Sequence, residues 1–235
     1  MNVAVIRFPG SNCDLDVVAA LRATKGLKPK LVWHENDDLG GFDALVLPGG
    51  FSFGDYLRAG AIAARSPSIA RVRRLSETGV PILGICNGFQ ILVEAGLLPG
   101  SLLRNSGLKF VCKWVTLRVE SNRTPFTHTS RRGEVLRLPI AHNEGRFFLP
   151  KDELAALSRE GRVVFRYTDE EGKPTARGNP NGSQENIAGI CNEDGNVLGM
   201  MPHPERASDP VLCPAGRSDG MAIFGSLAGL GGSSS

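Results

Sequence analysis

The chain has 235 residues, a length at which a single α/β domain with one hydrophobic core is common. Its 27 lysine and arginine residues against 24 aspartate and glutamate residues leave a net charge of +3. This charge is too small and too dispersed to favour a nucleic-acid or membrane partner. The 29 glycines exceed the roughly 16 that average usage gives for this length, which predicts many tight turns in functional loops.

Neither the N-terminus nor the cysteines suggest an exported protein. The start, MNVAVIRF, lacks the basic residues and long apolar stretch of a signal peptide, and no run approaches about 18 apolar residues, so we expect a cytoplasmic protein. The cysteines are odd in number and include no CxxC pair, so neither a disulfide framework nor a zinc site is predicted. They are Cys13, Cys86, Cys112, Cys191 and Cys213.

The first half of the chain alternates short apolar runs with helical patterns. The strand-like runs are NVAVIRF at 2–8, KLVWH at 30–34, DALVLP at 43–48 and VPILGI at 80–85. Such alternation predicts an α/β fold with a mostly parallel, open sheet and helices on both faces. The first helix is expected to begin near Cys13, with Ser11 and Asn12 as candidate caps and Gly26 as its stop.

The second half changes to strand patterns separated by polar, turn-rich loops. The strands are WVTLRVES at 114–121, EVLRLPI at 134–140, RVVFRY at 162–167, and two more within 186–201 around the turn NEDGN. These runs predict antiparallel strands added to the sheet. With no linker or internal repeat, we expect one domain over residues 1–230 and a disordered tail at 231–235.

The segment LGICNGFQ, residues 83–90, places Cys86 between a predicted strand and a predicted helix. Gly84 and Gly88 allow neighbouring backbone to pass close by, as in the strand–turn–helix that presents a serine nucleophile, here with sulfur in place of oxygen. At the carboxyl edge of the sheet, the positive end of the following helix favours a thiolate. A buried structural cysteine is the alternative, which the two glycines and the strand–helix context disfavour.

A thiol nucleophile needs a base that can also protonate the leaving group, oriented by a third side chain. His203 meets this need best, because it lies in the segment PHPE, where Pro202 and Pro204 restrict the backbone. In an extended stretch Glu205 would point the same way as His203 and accept a hydrogen bond from its ring. The alternative is a proline-rich surface turn with incidental charge.

The remaining three histidines are less clearly placed. His34 ends a predicted strand and His128 lies in a polar loop, so both are predicted to be surface or solvated-loop residues. His142, in the segment PIAHNEGRFF, could line a site or serve a structural role.

Acyl transfer through a thiol passes through an oxyanion, which needs backbone N–H donors in a rigid turn. The segment LPGGFSFGDYLRAG, residues 47–60, follows a predicted strand and would bring Gly49 and Gly50 to the sheet edge that holds Cys86. The N–H groups of Gly50 and Asn87 are the predicted donors. A phosphate-binding loop is excluded, because the Lys-Ser/Thr ending of that motif is missing.

Three motifs in this order along an α/β chain, PGG, GICNGFQ and PHPE, resemble those of the class I (triad) glutamine amidotransferases, which implies a flavodoxin-like fold. Within that family the chain is similar to the glutaminase subunits of phosphoribosylformylglycinamidine synthase. The segments that carry this similarity are RFPGSNCDLD, LPGGFSFGDYLRAGAIA, GICNGFQIL, IAHNEGRF, NPNGS and MPHPER. They span nearly the whole chain, and no triad position departs from the pattern.

The resemblance implies a role for each candidate residue in glutamine hydrolysis. Cys86 would attack the side-chain amide of glutamine, His203 would relay the proton and release ammonia, and Glu205 would orient His203. Water would then hydrolyse the glutamyl thioester to glutamate. The implied oxyanion-hole residues are Gly50 and Asn87, and the implied substrate-binding residues are Gly49, Gln90 and His142.

The resemblance also implies partners. The ammonia would pass to a larger synthase subunit (PurL type), which uses ATP to convert formylglycinamide ribonucleotide (FGAR) to the amidine FGAM in purine biosynthesis. A small third subunit (PurS type) is expected as well. No metal or cofactor is predicted on this chain, and ATP and magnesium are expected on the synthase subunit.

Two alternatives stay open on the sequence. One is another cysteine hydrolase of this fold, such as a gamma-glutamyl hydrolase or the glutaminase of pyridoxal phosphate synthesis, which should lack the long GGFSFGDYLRAG loop and the NPNGS segment. The other is a non-enzymatic binding module, which the intact set of Cys86, His203 and Glu205 disfavours.

Overall fold

The computed structural model describes residues 1–232. The strands in this range are β1 Asn2–Arg7, β2 Lys28–Trp33, β3 Ala44–Leu47, β4 Ile82–Ile85, β5 Ser101–Leu103, β6 Val111–Val119, β7 Val135–His142, β8 Arg146–Phe148, β9 Val163–Thr168, β10 Ile187–Cys191 and β11 Val197–Met200. The α-helices are α1 Asp14–Ala23, α2 Pro67–Glu77, α3 Asn87–Glu94, α4 Lys151–Arg159 and α5 Met221–Gly229.

Nine strands form one mixed sheet in the order β2-β1-β3-β4-β11-β10-β9-β6-β7. Neighbours from β2 to β11 pair in parallel, and neighbours from β11 to β7 pair antiparallel. Strands β5 and β8 form a separate two-stranded antiparallel sheet. The predicted α/β fold, mostly parallel in the first half of the chain with antiparallel strands added in the second, is confirmed.

The direction of the crossovers accounts for helices on both faces. The chain steps from β1 to β2 toward one side of the sheet and from β3 to β4 toward the other. Because such crossovers are right-handed, α1 and α2 cover opposite faces. Helix α5 packs beside α1, and α3 packs on β3, β4 and β11.

The central strands are apolar throughout because both of their faces are covered. Every residue of β3, β4 and β11 is buried, as expected for strands enclosed between two helix layers. These strands end on the same side of the sheet, since they run parallel. Segments that follow them therefore meet at one edge.

The start of α1 differs from the prediction. Cys13 is its N-cap and makes no side-chain capping hydrogen bond, so the prediction that Ser11 or Asn12 caps the helix is wrong. Ser11 is engaged elsewhere, in an isolated antiparallel bridge with Gly50. The helix also ends before the predicted stop at Gly26.

The C-terminal residues form more structure than expected. Gly231 and Gly232, predicted to begin a disordered tail, end a short 3₁₀ helix of residues Leu230–Gly232, and the rest of that predicted tail, residues 233–235, lies outside the described range. That residues 1–230 form one domain stays a prediction. Within residues 1–232, none of the helices combines the length and the apolar character that crossing a bilayer requires.

Candidate active site

Cys86 occupies a strained turn between β4 and α3. Its backbone has φ 50° and ψ −103°, a conformation that a side chain other than glycine rarely adopts and that the surrounding structure must hold. The flanking glycines explain how the turn fits. A Cβ atom on Gly84 would lie 2.7 Å from the Gly88 carbonyl oxygen, and one on Gly88 would lie 2.0 Å from the Leu47 carbonyl oxygen. Gly84 and Gly88 thus allow neighbouring backbone to pass close by, as predicted from the sequence.

The thiol of Cys86 lies at the carboxyl ends of the parallel strands. Its backbone N–H donates to the Met200 carbonyl at the end of β11, with an N–O distance of 2.8 Å. Its Sγ lies 3.8 Å from the Ala141 carbonyl oxygen near the end of β7. The side chain is therefore held between two strands that arrive from distant parts of the sequence.

His203 and Glu205 form a buried hydrogen-bonded pair just after β11. Nδ1 of His203 lies 2.6 Å from Oε1 of Glu205, and neither side chain is more than 2% exposed. The backbone differs from the expected extended stretch, because a 3₁₀ helix of residues Pro204–Ala207 carries Glu205. His203, in an extended conformation as its N-cap, donates its backbone N–H to the Pro139 carbonyl at 2.9 Å.

The charges around His203 favour its protonated form. Burial lowers the pKa of this imidazole, but the Glu205 carboxylate and the neighbouring Cys86 outweigh burial and raise the pKa well above its usual range. Nε2 of His203 makes no well-aligned hydrogen bond within residues 1–232, which leaves it free to exchange a proton with Cys86 or a substrate. This arrangement is the one that the predicted nucleophile, base and orienting carboxylate require.

The loop after β3 is held against residues 9–13. Gly50 pairs with Ser11 as an isolated antiparallel bridge, and the Phe51 N–H donates to the Gly10 carbonyl at 2.9 Å. Gly50 and Ser11 are therefore opposite each other without exchanging hydrogen bonds, and the N–H of Gly50 points away from residues 9–13. Its φ of 148° requires glycine, and so does the surrounding space, because an added Cβ would lie 2.7 Å from Ser11 Cα.

Two backbone amides are available as oxyanion donors. The Gly50 N–H makes no hydrogen bond among the described residues. Asn87 is the first residue of α3, so its N–H has no partner inside the helix. Their pairing around the substrate oxygen, predicted from the sequence, stays a prediction.

Asn87 and Gln90 link the loop to α3 through their side-chain amides. Asn87 Oδ1 accepts from the Ser52 N–H at 3.1 Å, and Asn87 Nδ2 donates to Gln90 Oε1 at 2.9 Å. Gln90 Nε2 in turn donates to the Glu144 carbonyl at 2.6 Å. Gln90 therefore sits in the wall of the site with its amide already paired, and holding glutamine would require it to exchange a partner.

Asp55 is a site-lining residue that the sequence did not single out. It accepts a hydrogen bond from Asn87 Nδ2 at 3.4 Å and is half-buried near Glu144. Burial, and then repulsion from Glu144, raise the pKa of Asp55 to about 6. Asp55 and its neighbours Phe53 and Leu57 all have positive φ, so this loop is strained along its length. In the sequence, the many glycines of residues 47–60 were the feature that could have pointed to Asp55.

Of the three histidines other than His203, two are buried and one is exposed. His142 lies near His203; burial, and then the charge of His203, lower its pKa to about 4, so the ring is neutral at pH 7. Its Nδ1 lies 3.1 Å from Asn105 Oδ1, and its role in substrate binding stays a prediction. His34 is buried, stacked on Phe8 with ring centroids 5.7 Å apart, so its predicted surface position is wrong. His128 is exposed, as predicted.

Cys13, expected only to start a helix, lies beside His203 and Glu205. Its Sγ, a ring nitrogen of His203 and a carboxylate oxygen of Glu205 all lie within 4.8 Å of one another. Cysteine, histidine and carboxylate are zinc ligands, but Nη2 of Arg206 donates to the same sulfur at 3.2 Å. The sulfur therefore already contacts a cationic group, and Nδ1 of His203 is already bonded to Glu205.

A sequence model of the CobB/CobQ-like glutamine amidotransferase domain matches residues 1–227. The chain belongs to this family. The resemblance to the glutamine amidotransferases is therefore confirmed.

Relatives match the amidotransferase chain from end to end. The phosphoribosylformylglycinamidine synthase subunit PurQ of Thermomicrobium roseum is 56% identical over 98% of this chain and 97% of its own length. The protein of the same name from Gloeobacter violaceus is 58% identical over 97% of each. A chain in the structure of PurLQS from Thermotoga maritima matches with a TM-score of 0.85 and 45% identity over 97% of this chain and 98% of that one.

Proposed function

We propose that this chain is the glutaminase subunit of a phosphoribosylformylglycinamidine synthase. The observation that carries the proposal is the identity of 54–58% with PurQ subunits over nearly the whole length of the chain. The local geometry supports a hydrolytic role, because the buried pair of His203 and Glu205 lies beside the strained Cys86.

The reaction begins with the thiolate of Cys86 attacking the side-chain carbonyl carbon of glutamine. As the carbon–sulfur bond forms, the carbonyl electrons move to oxygen, where the N–H groups of Gly50 and Asn87 stabilise the charge. The tetrahedral intermediate then collapses and breaks the carbon–nitrogen bond. His203 gives its Nε2 proton to the departing nitrogen, which leaves as ammonia, and Glu205 holds the ring in place.

Hydrolysis of the thioester completes the cycle. Water attacks the acyl carbon while His203 accepts its proton, and the carbon–sulfur bond breaks to release glutamate and restore the thiolate beside the protonated His203. Glutamine and one water thus yield glutamate and ammonia. Gly49, Gln90 and His142 complete the proposed substrate pocket, and Gln90 exchanges its contact with Glu144 for one with the substrate.

Glutamine hydrolysis needs no nucleotide, whereas the conversion of FGAR to FGAM needs ATP, so we assign the use of ammonia to another subunit. We infer that a larger synthase subunit of the PurL type holds ATP and magnesium and converts FGAR to FGAM, with a PurS-type subunit in the complex. The solved relative from Thermotoga maritima is a PurLQS assembly, which supports this composition. We further infer that this chain holds no cofactor and works in the cytoplasm.

The test is to reconstitute the chain with its synthase subunits and compare glutamine with ammonium salts as nitrogen source. Cys86→Ala should abolish glutamine-dependent FGAM synthesis and preserve ammonium-dependent synthesis, because the thiol only liberates ammonia. The matched control is Cys112→Ser, since Cys112 is an exposed residue of β6. Loss of both activities in Cys86→Ala would contradict this division of labour.

Substrate profiling separates the proposal from its alternative. A gamma-glutamyl hydrolase would cleave gamma-glutamyl peptides faster than glutamine and would need no synthase subunit. An electrophilic glutamine analogue should label Cys86 alone. Labelling mainly at Cys13 or Cys213 would contradict the assignment of Cys86 as the nucleophile.

A further inference from the structure

Cys13 is buried against the catalytic pair although 190 positions separate it from His203 in the sequence. Its side chain is 2% exposed. A Cβ atom built on Gly49 would lie 2.7 Å from His203 Cε1 and 3.2 Å from Cys13 Sγ, so the ring and the sulfur both pack against this glycine. Sulfur, ring and the Glu205 carboxylate thus form one packed cluster.

Hydrogen bonds fix Cys13 in this cluster from three directions. Its backbone N–H donates to the Gly49 carbonyl at 3.2 Å, which ties α1 to the loop that carries Gly50. Its thiol donates to Asn12 Oδ1 at 3.2 Å and accepts from Arg206 Nη2 at 3.2 Å. One residue therefore joins the N-terminus of α1, the oxyanion loop and the segment that carries the catalytic base.

We propose that Cys13 is a positioning residue for the acid–base pair: its thiol packs against the imidazole of His203 and the carboxylate of Glu205 and holds both in register with Cys86. This role rests on the proposed glutaminase reaction. Cys13 does not touch the reacting atoms. It acts through the ring of His203.

The physical basis is the packing of a buried charge. Glu205 is fully buried, and its Oε2 has no hydrogen-bond partner among the described residues. The sulfur of Cys13 lies within 4.8 Å of a Glu205 carboxylate oxygen, and the Arg206 guanidinium that donates to this sulfur supplies a nearby positive charge. Removing the sulfur leaves a cavity next to the carboxylate and frees both members of the pair to shift.

The protonation of His203 gives a second readout. The groups that shift the pKa of this imidazole are Glu205 and Cys86, and then Cys13, while His142 lies near the ring and Arg206 lies against the sulfur of Cys13. Among them, Cys13 adds to the rise in the pKa of His203. Without the thiol, the imidazolium should lose its proton at a lower pH, so kcat/KM should begin to fall on the basic side at a lower pH than in wild type.

The experiment compares Cys13→Ala, Cys13→Ser and the control Cys112→Ser in the reconstituted complex. We expect Cys13→Ala to lower kcat for glutamate release by about tenfold to a hundredfold, with KM for glutamine changed less than about twofold, because small misplacements of a catalytic group cost this much. Its kcat/KM should begin to fall on the basic side at a lower pH. Cys13→Ser, which keeps a hydrogen-bonding group, should recover part of both effects.

Two further measurements keep the outcome clear. The circular dichroism spectrum of Cys13→Ala and its co-elution with the synthase subunits should match wild type, which shows that the variant folds and assembles. Alkylation of Cys86 by iodoacetamide, followed across pH by mass spectrometry, reports on His203 without any turnover of glutamine. If glutamate is never released by wild type, the proposed function fails, whereas a shifted alkylation profile in Cys13→Ala still supports the positioning role.

Three results would overturn the proposal. Wild-type kcat and an unchanged pH profile in Cys13→Ala would make the thiol dispensable. Unfolding of Cys13→Ala together with wild-type behaviour of Cys13→Ser would make it a packing residue only. Stoichiometric binding of Zn²⁺ by wild type that Cys13→Ala abolishes would make the cluster a metal site instead.

Discussion

Helix α3 crosses the end of β3 so closely that the Gly88 position and the Leu47 carbonyl oxygen leave no room for a methyl group. A Cβ atom added at Gly88 would lie 2.0 Å from that backbone oxygen, so relief requires moving the helix that begins beside Cys86. The conformation of the turn at Cys86 therefore depends on how α3 packs on β3.

Gly88→Ala should destabilise the protein by about 3 kcal/mol or more and displace Cys86, because the overlap is with main chain. Gly225→Ala, in α5, is the matched control, since its added Cβ meets nothing within 4 Å. We expect that control to gain about 0.5–1 kcal/mol from the better helix propensity of alanine. Urea unfolding curves measure both, and equal stability of the two variants would contradict the packing argument.

His203→Ala should abolish glutamate release, whereas Glu205→Gln should retain a measurable rate. The glutamine side chain keeps an acceptor for Nδ1 of His203, while the alanine variant loses the group that moves the proton. Single-turnover assays at saturating glutamine give the comparison. Equal, near-complete loss in both variants would leave Cys86 as nucleophile but remove the distinction between base and orienting carboxylate.

The raised pKa of Asp55, about 6, makes stability fall as pH rises. Between the unperturbed pKa of 3.8 and about 6 the folded state binds more protons than the unfolded state, so stability falls with rising pH across that range and the loss is complete above about pH 6. Asp55→Asn should therefore stabilise the protein at pH 8 by about 1 kcal/mol, a value discounted for partial exposure. The gain should vanish near pH 4.

The matched control for that measurement is Asp37→Asn. Asp37 is exposed, and its side chain makes no hydrogen bond or ion pair among the described residues. Urea midpoints at pH 4 and pH 8 for the two variants and wild type decide the matter. A pH-independent difference between Asp55→Asn and wild type would assign the effect to packing.

The free chain should release glutamate slowly, and binding of the synthase subunit should accelerate it. The loop at residues 51–60 carries strained Phe53, Asp55 and Leu57, and Leu57 is 91% exposed, so this loop can be reshaped by a partner at low cost. An oxyanion donor out of place would cost about 2.7 to 4 kcal/mol, or a hundred- to a thousandfold in rate. Equal turnover by free chain and complex would refute the gating.

Local sequence was sufficient where a feature depends on its immediate neighbours. The strands enclosed on both faces are nearly continuous apolar runs, and Gly84 and Gly88 indicate the tight turn at Cys86. The pair of His203 and Glu205 was found from a spacing of two, although the turn between them is a 3₁₀ helix and not extended chain.

Features that depend on distant segments were missed. Cys13 meets His203 only because β1 and β11 deliver their following segments to the same edge of the sheet, which no local pattern records. His34 is buried because Phe8 and Phe53, from two other loops, enclose its ring. Asp55 owes its raised pKa to burial and to Glu144, a residue far along the chain.

The position of β11 affects how the protein is made. This strand, residues Val197–Met200, fits between β4 and β10 and is the last strand of the described chain to leave the ribosome. Until it emerges, the backbone edge of β4 stays unpaired on the side that β11 will occupy, a state that invites pairing with other chains. Truncations before residue 197 should therefore aggregate, and nascent chains should need a chaperone for most of their synthesis.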